Sequence, residues 1–330
     1  MKIAIAGGTG FIGTRLKTFL QNDGHDIIIL TRNKNKTSNH PNTTTSNKPR
    51  HERNLPQTQP TSFQTDATYV SWLSENTQPE KHLHNTDIFI NLAGVSINKG
   101  RWTKSHQQKI YTSRMQATDE LIRIIQTMPD KPTTLINASA IGIYPTSQDE
   151  VYNEASTTAP NDFLGRTVSA WEQKAKQAEQ FGIRTCLMRF GVVLGTHEGA
   201  LPLMALPYKL FAGGTVGSGN QWLSWVHIND VVRAITFAIN NDHLSGPVNV
   251  TASNPLRMKT FGKTIATVLR RPHWIPAPSP AMKLALGKKS KLVLEGQHVK
   301  STALIDAGFK FSYPTLQPAL ENLFKKQNRS

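Results

Sequence analysis

Ile3-Ala4-Ile5-Ala6-Gly7-Gly8-Thr9-Gly10-Phe11-Ile12-Gly13 decides how this chain folds. An apolar run enters a turn with glycines at 7, 10 and 13. An amphipathic stretch with Phe11, Ile12, Leu16, Phe19 and Leu20 on one side leaves it. Strand, glycine turn and helix in that order form the opening unit of a dinucleotide-binding fold. Gly7 permits the sharp turn, Gly10 lets the backbone approach a pyrophosphate, and Gly13 lets the helix pack close to the strand. The N–H groups of the first helical turn then face the phosphates.

The next β-branched run, Asp26-Ile27-Ile28-Ile29-Leu30-Thr31, stops at Arg32. In such a fold the tip of the second strand lies beside the adenosine ribose. An acidic residue there suits the 2′-hydroxyl of NAD, and an arginine suits the 2′-phosphate of NADP. Arg32 offers a forked, charge-assisted contact and Thr31 a hydroxyl. The cofactor expected is therefore NADP(H).

Composition sets the outer limits. The 330 residues, 38% of them hydrophobic, suffice for one large α/β domain and a smaller lobe. No stretch approaches the length of a membrane span, and a strand begins within two residues of the start, so neither a membrane partner nor a secretory leader is expected. The single cysteine, Cys186, lies in the apolar run Thr185-Cys186-Leu187-Met188 and reads as a small buried hydrophobe. No Cys/His cluster has metal-site spacing, so no metal is expected, and a reducing cytoplasm fits. Of the net charge of +16, residues 251–330 carry +11, from 14 Lys and Arg against 3 Asp and Glu. No basic groove interleaved with aromatics accompanies that excess, so no nucleic-acid partner is expected. Attraction of an anionic small molecule is the simpler account. Nothing in the composition bears on the oligomeric state.

Along the chain, residues from about 33 to 65 are rich in Asn, Thr, Ser, Pro, Lys and Gln and poor in apolar side chains, which predicts a long disordered insert. Tyr69, Val70, Trp72 and Leu73 suggest a short helix. Asp87–Gly94 reads as a strand entering a small-residue turn, Ser105–Thr127 as a helix, Thr134–Ser139 as a strand, Phe163–Phe181 as a helix and Arg184–Phe190 as a strand. A helix is expected over Ala200–Phe211, a strand over Trp222–His227, and a helix over Val231–Ile239 capped by Asn229 or Asp230. Pro247–Thr251 reads as the last strand, followed by helices near 259–269, 280–286 and 316–323. Strands alternating with helices predict a Rossmann-type, doubly wound parallel sheet over residues 1–250, with a smaller α-rich substrate lobe over 251–330.

Together these residues resemble the extended short-chain dehydrogenase/reductase superfamily, and more closely its atypical, YfcH-like epimerase family. The resemblance rests on the glycine turn, Asn91-Leu92-Ala93-Gly94, Arg101-Trp102, Ser113-Arg114 and Trp171-Glu172. It continues in Arg189-Phe190-Gly191-Val192-Val193-Leu194-Gly195, Gly217-Ser218-Gly219-Asn220-Gln221 and Trp225-Val226-His227-Ile228-Asn229-Asp230. Leu294-Glu295-Gly296-Gln297 and Ala307-Gly308-Phe309-Lys310-Phe311 look like that branch's C-terminal domain. The resemblance implies that Gly7, Thr9, Gly10, Phe11, Ile12, Gly13, Thr31 and Arg32 hold the cofactor's phosphates and adenosine end. It also implies that Leu92, Ala93 and Gly94 line the cofactor, that Arg114 reaches it, and that Val193 lies near the nicotinamide.

One element of the superfamily's chemistry is missing. Hydride transfer there uses a Tyr-x-x-x-Lys pair with a nearby hydroxyl, the lysine lowering the tyrosine's pKa so that it can move a proton. Here Leu164 and Val168 fall where that tyrosine and lysine belong. Ser139, Tyr144 and His227 are the candidate catalytic residues in their place, with Glu172 close by; Trp171 and Trp225 read as packing. Three readings stay open: an oxidoreductase with substitute groups acting on a small carbonyl or hydroxyl substrate, a non-catalytic NADP(H) sensor, and a nucleotide-sugar epimerase or dehydratase.

Overall fold

The structure, a computed structural model, describes residues 1–32, 66–98, 100–157 and 159–325. The expected insert at 33–65 lies outside the described residues. In chain order the strands are β1 (Lys2–Ala6), β2 (Asp26–Thr31), β3 (Thr68–Ser71), β4 (Ile88–Asn91), β5 (Thr134–Ala140), β6 (Val151–Tyr152) and β7 (Arg184–Phe190). They continue with β8 (Val192–Leu194), β9 (Trp222–Leu223), β10 (Trp225–His227), β11 (Gly246–Val250), β12 (Leu256–Arg257) and β13 (His298–Val299). The α-helices are α1 (Phe11–Asn22), α2 (Lys104–Thr127), α3 (Phe163–Ala175), α4 (Leu201–Lys209), α5 (Ile228–Ile239), α6 (Met258–Leu269), α7 (Ser279–Leu286), α8 (Lys291–Leu294), α9 (Thr302–Asp306) and α10 (Leu316–Lys325).

Seven strands form one sheet in the order β11-β7-β5-β4-β1-β2-β3, every pair parallel. Beyond the first residue of each strand, Ile3–Ala6 of β1 and Ile27–Leu30 of β2 are buried on both faces and apolar without interruption. Ile3, Ile5, Ile27 and Ile29 face α1 and α5, packing with Leu16, Leu20, Val231 and Ile235. Ala4, Ala6, Ile28 and Leu30 face the other way, toward Ala117, Leu121, Ile124 and Ile125 of α2. Strand order reverses at β1, with β2 on one side and β4 on the other. The crevice above the carboxyl ends of β1 and β4 is the topological switch point where such sheets bind ligands.

The short helix expected around 69–73 is instead β3, registered along β2 from Ile28↔Thr68 to Thr31↔Ser71. Thr68-Tyr69-Val70-Ser71 is β-branched and aromatic, and it completes the edge of the sheet. The stretch Trp222–His227 is two short strands that part at Ser224 and change partners, β9 pairing antiparallel with β12 and β10 parallel with β8. Helix α5 starts three residues before the expected Val231, and its cap is His227, not Asn229 or Asp230. The imidazole Nδ1 of His227 accepts from the Asn229 N–H at 3.0 Å. Asp230, fully buried, instead accepts from the N–H groups of Ser312 and Tyr313 at 2.8 and 2.9 Å. The C-terminal residues are woven into the whole: Leu304 and Phe309 join the core beneath the main sheet, while Leu316, Leu320 and Leu323 pack with Tyr208, Trp225 and Phe261. Cys186 is buried, its thiol donating to the Leu244 carbonyl.

Candidate functional site

The glycine turn leaves β1 with Gly7 in the left-handed region (φ +79°). A Cβ there would sit 2.7 Å from the Leu92 carbonyl, so the turns after β1 and β4 touch backbone to backbone across the switch point. At Gly13 a Cβ would lie 2.2 Å from the Gly7 carbonyl oxygen, which makes glycine the only residue that lets α1 close against the turn. Helix α1 begins at Gly10 with no side-chain cap and no acidic residue in its first turn. Its free N–H groups and positive dipole end therefore open toward the crevice. Uncapped helix end and Cβ-free cradle together fit a pyrophosphate.

From that turn a cavity of about 1070 Å³ runs along the ends of β1, β2 and β4. Gly7, Thr9, Gly10, Thr31, Arg32, Leu92, Ala93 and Gly94 all line it. Thr31 is buried at the end of β2, and Arg32, just beyond, is exposed at the cavity edge. Its walls also include Trp72, Leu73, Ser74 and Gln116. Trp72, Leu73 and Ser74 were not among the expected site residues, because 69–73 read as a helix and not as a strand whose end delivers side chains to the crevice. Gln116 was not expected either, as it lies within the long helix α2. Leu73 is held there at φ +55°, a conformation that leucine rarely adopts.

The other expected cofactor residues stand outside the cavity lining. Gly13 lies beneath the turn. The Phe11 ring packs where a Cβ on Gly195 would meet it at 2.4 Å, and Ile12 and Val193 are half-buried beside the same cluster. Arg114 sits under Gly94, its guanidinium 3.1 Å from where a Cβ on that glycine would be. It donates to the carbonyls of Val95 and Ile110 at 3.1 and 2.9 Å and lies 5.1 Å from the Trp171 ring centroid. Among the described residues no carboxylate pairs with it, and burial lowers its pKa to about 10. A partly buried cation without a counter-ion favours an anion nearby. The turn over it is fixed from below: Asn91 donates to Asn137 and Thr118 at 2.7 and 3.0 Å and accepts from the Ala93 N–H.

Beside the crevice, at the carboxyl ends of β5, β7 and β11, the side chains, not the backbone, carry the arrangement. Ser139, at the end of β5, donates to Glu172 at 2.5 Å. Arg189 of β7 binds the same carboxylate through two nitrogens, at 2.7 and 2.8 Å, and donates to the Tyr144 hydroxyl at 2.8 Å. Tyr144 in turn donates to the Asn249 side chain at 2.9 Å. All five residues are buried, and burial pushes the Tyr144 phenol above its ordinary pKa. Val168 is buried against Tyr144, and Leu164 packs over Gly142, so aliphatic groups fill the places of the superfamily's proton-transferring pair. His227 does not join this group. It caps α5 and stacks on Tyr313, with ring centroids 3.9 Å apart. The structure thus brings Ser139 and Tyr144 into one network and leaves His227 on another.

A switch-point crevice with a glycine cradle and an uncapped helix N-terminus defines a dinucleotide-binding α/β protein of the Rossmann type. The model of the NAD dependent epimerase/dehydratase family matches residues 3–251, and that of a domain of unknown function (DUF1731) matches residues 277–323. The chain belongs to the NAD dependent epimerase/dehydratase family. It is 46% identical to the epimerase family protein YfhF of Bacillus subtilis over 323 residues, 98% of each chain. Among solved structures it is similar to the human epimerase family protein SDR39U1 crystallised with NADPH, at 27% identity and a TM-score of 0.81, over 98% of this chain and 99% of that one. It also shares its fold with the UDP-N-acetylglucosamine 4-epimerase of Bacillus cereus, at 17% identity and a TM-score of 0.70, over 99% of both.

Proposed function

We propose that the protein binds NADP(H) in the switch-point crevice and acts as an oxidoreductase on a small carbonyl or hydroxyl compound. Arg32 carries the reading: it stands at the cavity edge directly after β2, where a 2′-phosphate would meet its guanidinium. Thr31 and Thr9 would add hydroxyls, the α1 amides would hold the pyrophosphate, and Arg114 would supply positive charge behind Gly94. The human relative solved with NADPH supports the choice of the phosphorylated cofactor. Bound there, the nicotinamide would supply or accept a hydride. Val193 and the Phe11 contact with Gly195 would border that end of the site.

The proton has no relay at positions 164 and 168. Tyr144, its pKa raised instead of lowered, and Ser139, committed to Glu172, are best suited to holding the strand ends in place. His227, as a cap, orients α5. Proton transfer would then come from the substrate side or from water. That same sealed network favours a second reading, a cofactor-binding sensor without turnover. An epimerase is the weakest of the three, because transient oxidation at a sugar carbon needs the missing relay.

Fluorescence titration with NADPH and NADH tests the first part. Tighter binding of NADPH is expected, equal binding removes the role of Arg32, and no binding of either overturns the reading. Following NADPH absorbance with a set of carbonyl compounds tests the second. Oxidation that depends on one substrate class is expected, and binding without oxidation across the set selects the sensor.

A further inference from the structure

Six of the twelve exposed large hydrophobic side chains among the described residues lie on α4, the two residues after it and the loop at 274–275, far in sequence from the cofactor crevice. Helix α4 turns Leu201, Ala205 and Tyr208 inward and Leu203, Leu206 and then Leu210 outward, three and four residues apart. Phe211 follows with φ +59°, a backbone conformation unusual for an aromatic residue, and it keeps its ring outside. Beside it stand Trp274 and Ile275, both of whose N–H groups donate to the Gly213 carbonyl, at 2.9 and 3.1 Å. The Trp274 indole N–H donates to the Phe211 carbonyl at 2.7 Å, so its one polar atom is satisfied from within and the exposed part is carbon. Trp274 and Leu210 are each 67% exposed and Leu203 is 57% exposed. Pro272, Pro276, Pro278 and Pro280 stiffen this loop. A rigid apolar prong of this size on a soluble surface marks an interaction site.

The surrounding charge identifies the occupant. The segments that carry the patch, residues 201–212 and 258–278, contain five Lys and Arg and not one Asp or Glu. Arg271 stacks on the Phe211 ring, 4.4 Å from its centroid. Lys259 and Lys263 lie close enough to His273, the neighbour of Trp274, to lower its pKa after burial has done so. A second copy docking on the same face would set like charges against each other. An anionic lipid surface satisfies both features, taking leucine, phenylalanine and tryptophan into its interface and the cations among its headgroups.

We infer that the face formed by Leu203, Leu206, Leu210, Phe211, Trp274 and Ile275 docks on an anionic membrane surface. The absence of a spanning stretch led to no membrane partner being expected, and no helix among the described residues is long and apolar enough to cross one. Lying on a surface needs no span. The inference is independent of the cofactor reading.

Sedimentation of the full chain with vesicles tests it, using phosphatidylcholine alone and an equimolar mixture with phosphatidylglycerol. Binding to the anionic vesicles only is expected, weakening as salt rises. The double substitution Leu210→Ser and Trp274→Ser should weaken binding by at least about tenfold. Lys259→Ala and Lys263→Ala should each weaken it by about fivefold. Because all four residues are exposed, circular dichroism melts should match the parent. The blue shift of tryptophan emission on vesicles should vanish in Trp274→Phe while binding persists. Equal or absent binding to the two vesicle types overturns the inference, as does unchanged binding by the double variant. Dimerisation that the double variant abolishes, or capture of an oligonucleotide, with no vesicle binding, overturns it in favour of that other partner.

Discussion

The switch point at the middle of the central sheet and the β5–β7–β11 side next to it solve different problems with different materials. At the β1–β4 switch point the site is made of backbone, through a carbonyl contact at Gly7, a close approach at Gly13 and amides at the start of α1. At the carboxyl ends of β5, β7 and β11 it is made of side chains, with Ser139, Glu172, Arg189, Tyr144 and Asn249 bonded into one buried chain. A backbone site tolerates no added atoms but asks little of side-chain identity. A buried polar network asks the reverse, since each member depends on all its partners. The first is the place proposed above for a ligand, and the second acts as a structural clamp.

The largest effect that would sharpen this contrast is Glu172→Ala. It strands the Arg189 charge in the interior, and urea unfolding should show a loss of about 3–5 kcal/mol. A loss near zero would break the clamp interpretation. Gly13→Ala comes next, since the new methyl meets backbone that cannot yield. A stability loss of about 1–3 kcal/mol is expected, with NADPH binding falling below detection in the same titration. Arg32→Ala should leave stability unchanged and weaken NADPH binding by about 1.5–3 kcal/mol, the range for hydrogen bonds to a charged group, with NADH binding unaffected. The smallest effect concerns Cys186. Burial raises its thiol pKa to about 11, Arg184 partly opposing, so iodoacetamide at about pH 8 should not label the folded chain. Labelling before unfolding would show that the sheet opens at β7 and β11.

The same contrast explains what could be read from residues alone. The glycine turn, the ends of β2 and β4 and the alternation of strands and helices were legible, because a backbone site is encoded by neighbours in sequence. β3 was misread as a helix since Trp72 and Leu73 extended its four-residue pattern, and only pairing with β2 settles an edge strand of that length. With it went the cavity walls at Trp72, Leu73 and Ser74. The His227 cap was missed because asparagine and aspartate, the stronger capping residues, stood next in line. The exchange of partners at Ser224 depends on β8 and β12, each far along the chain. The network joining Ser139 to Asn249 draws on β5, α3, β7, β11 and the turn at Tyr144, so no spacing in the sequence announces it.

Asp230 sets a limit on how this architecture can be divided. Its carboxylate, fully enclosed, is neutralised by hydrogen bonds from Arg233 and from two amides of the C-terminal tail. A chain cut before Ser312 would leave that anion short of donors and deprive His227 of its stacking partner, so the tail is no removable accessory. Chimaeras that exchange tails between relatives should tolerate the exchange only where the donor brings matching amides to position 230's helix, and evolution of the tail is tethered accordingly to α5.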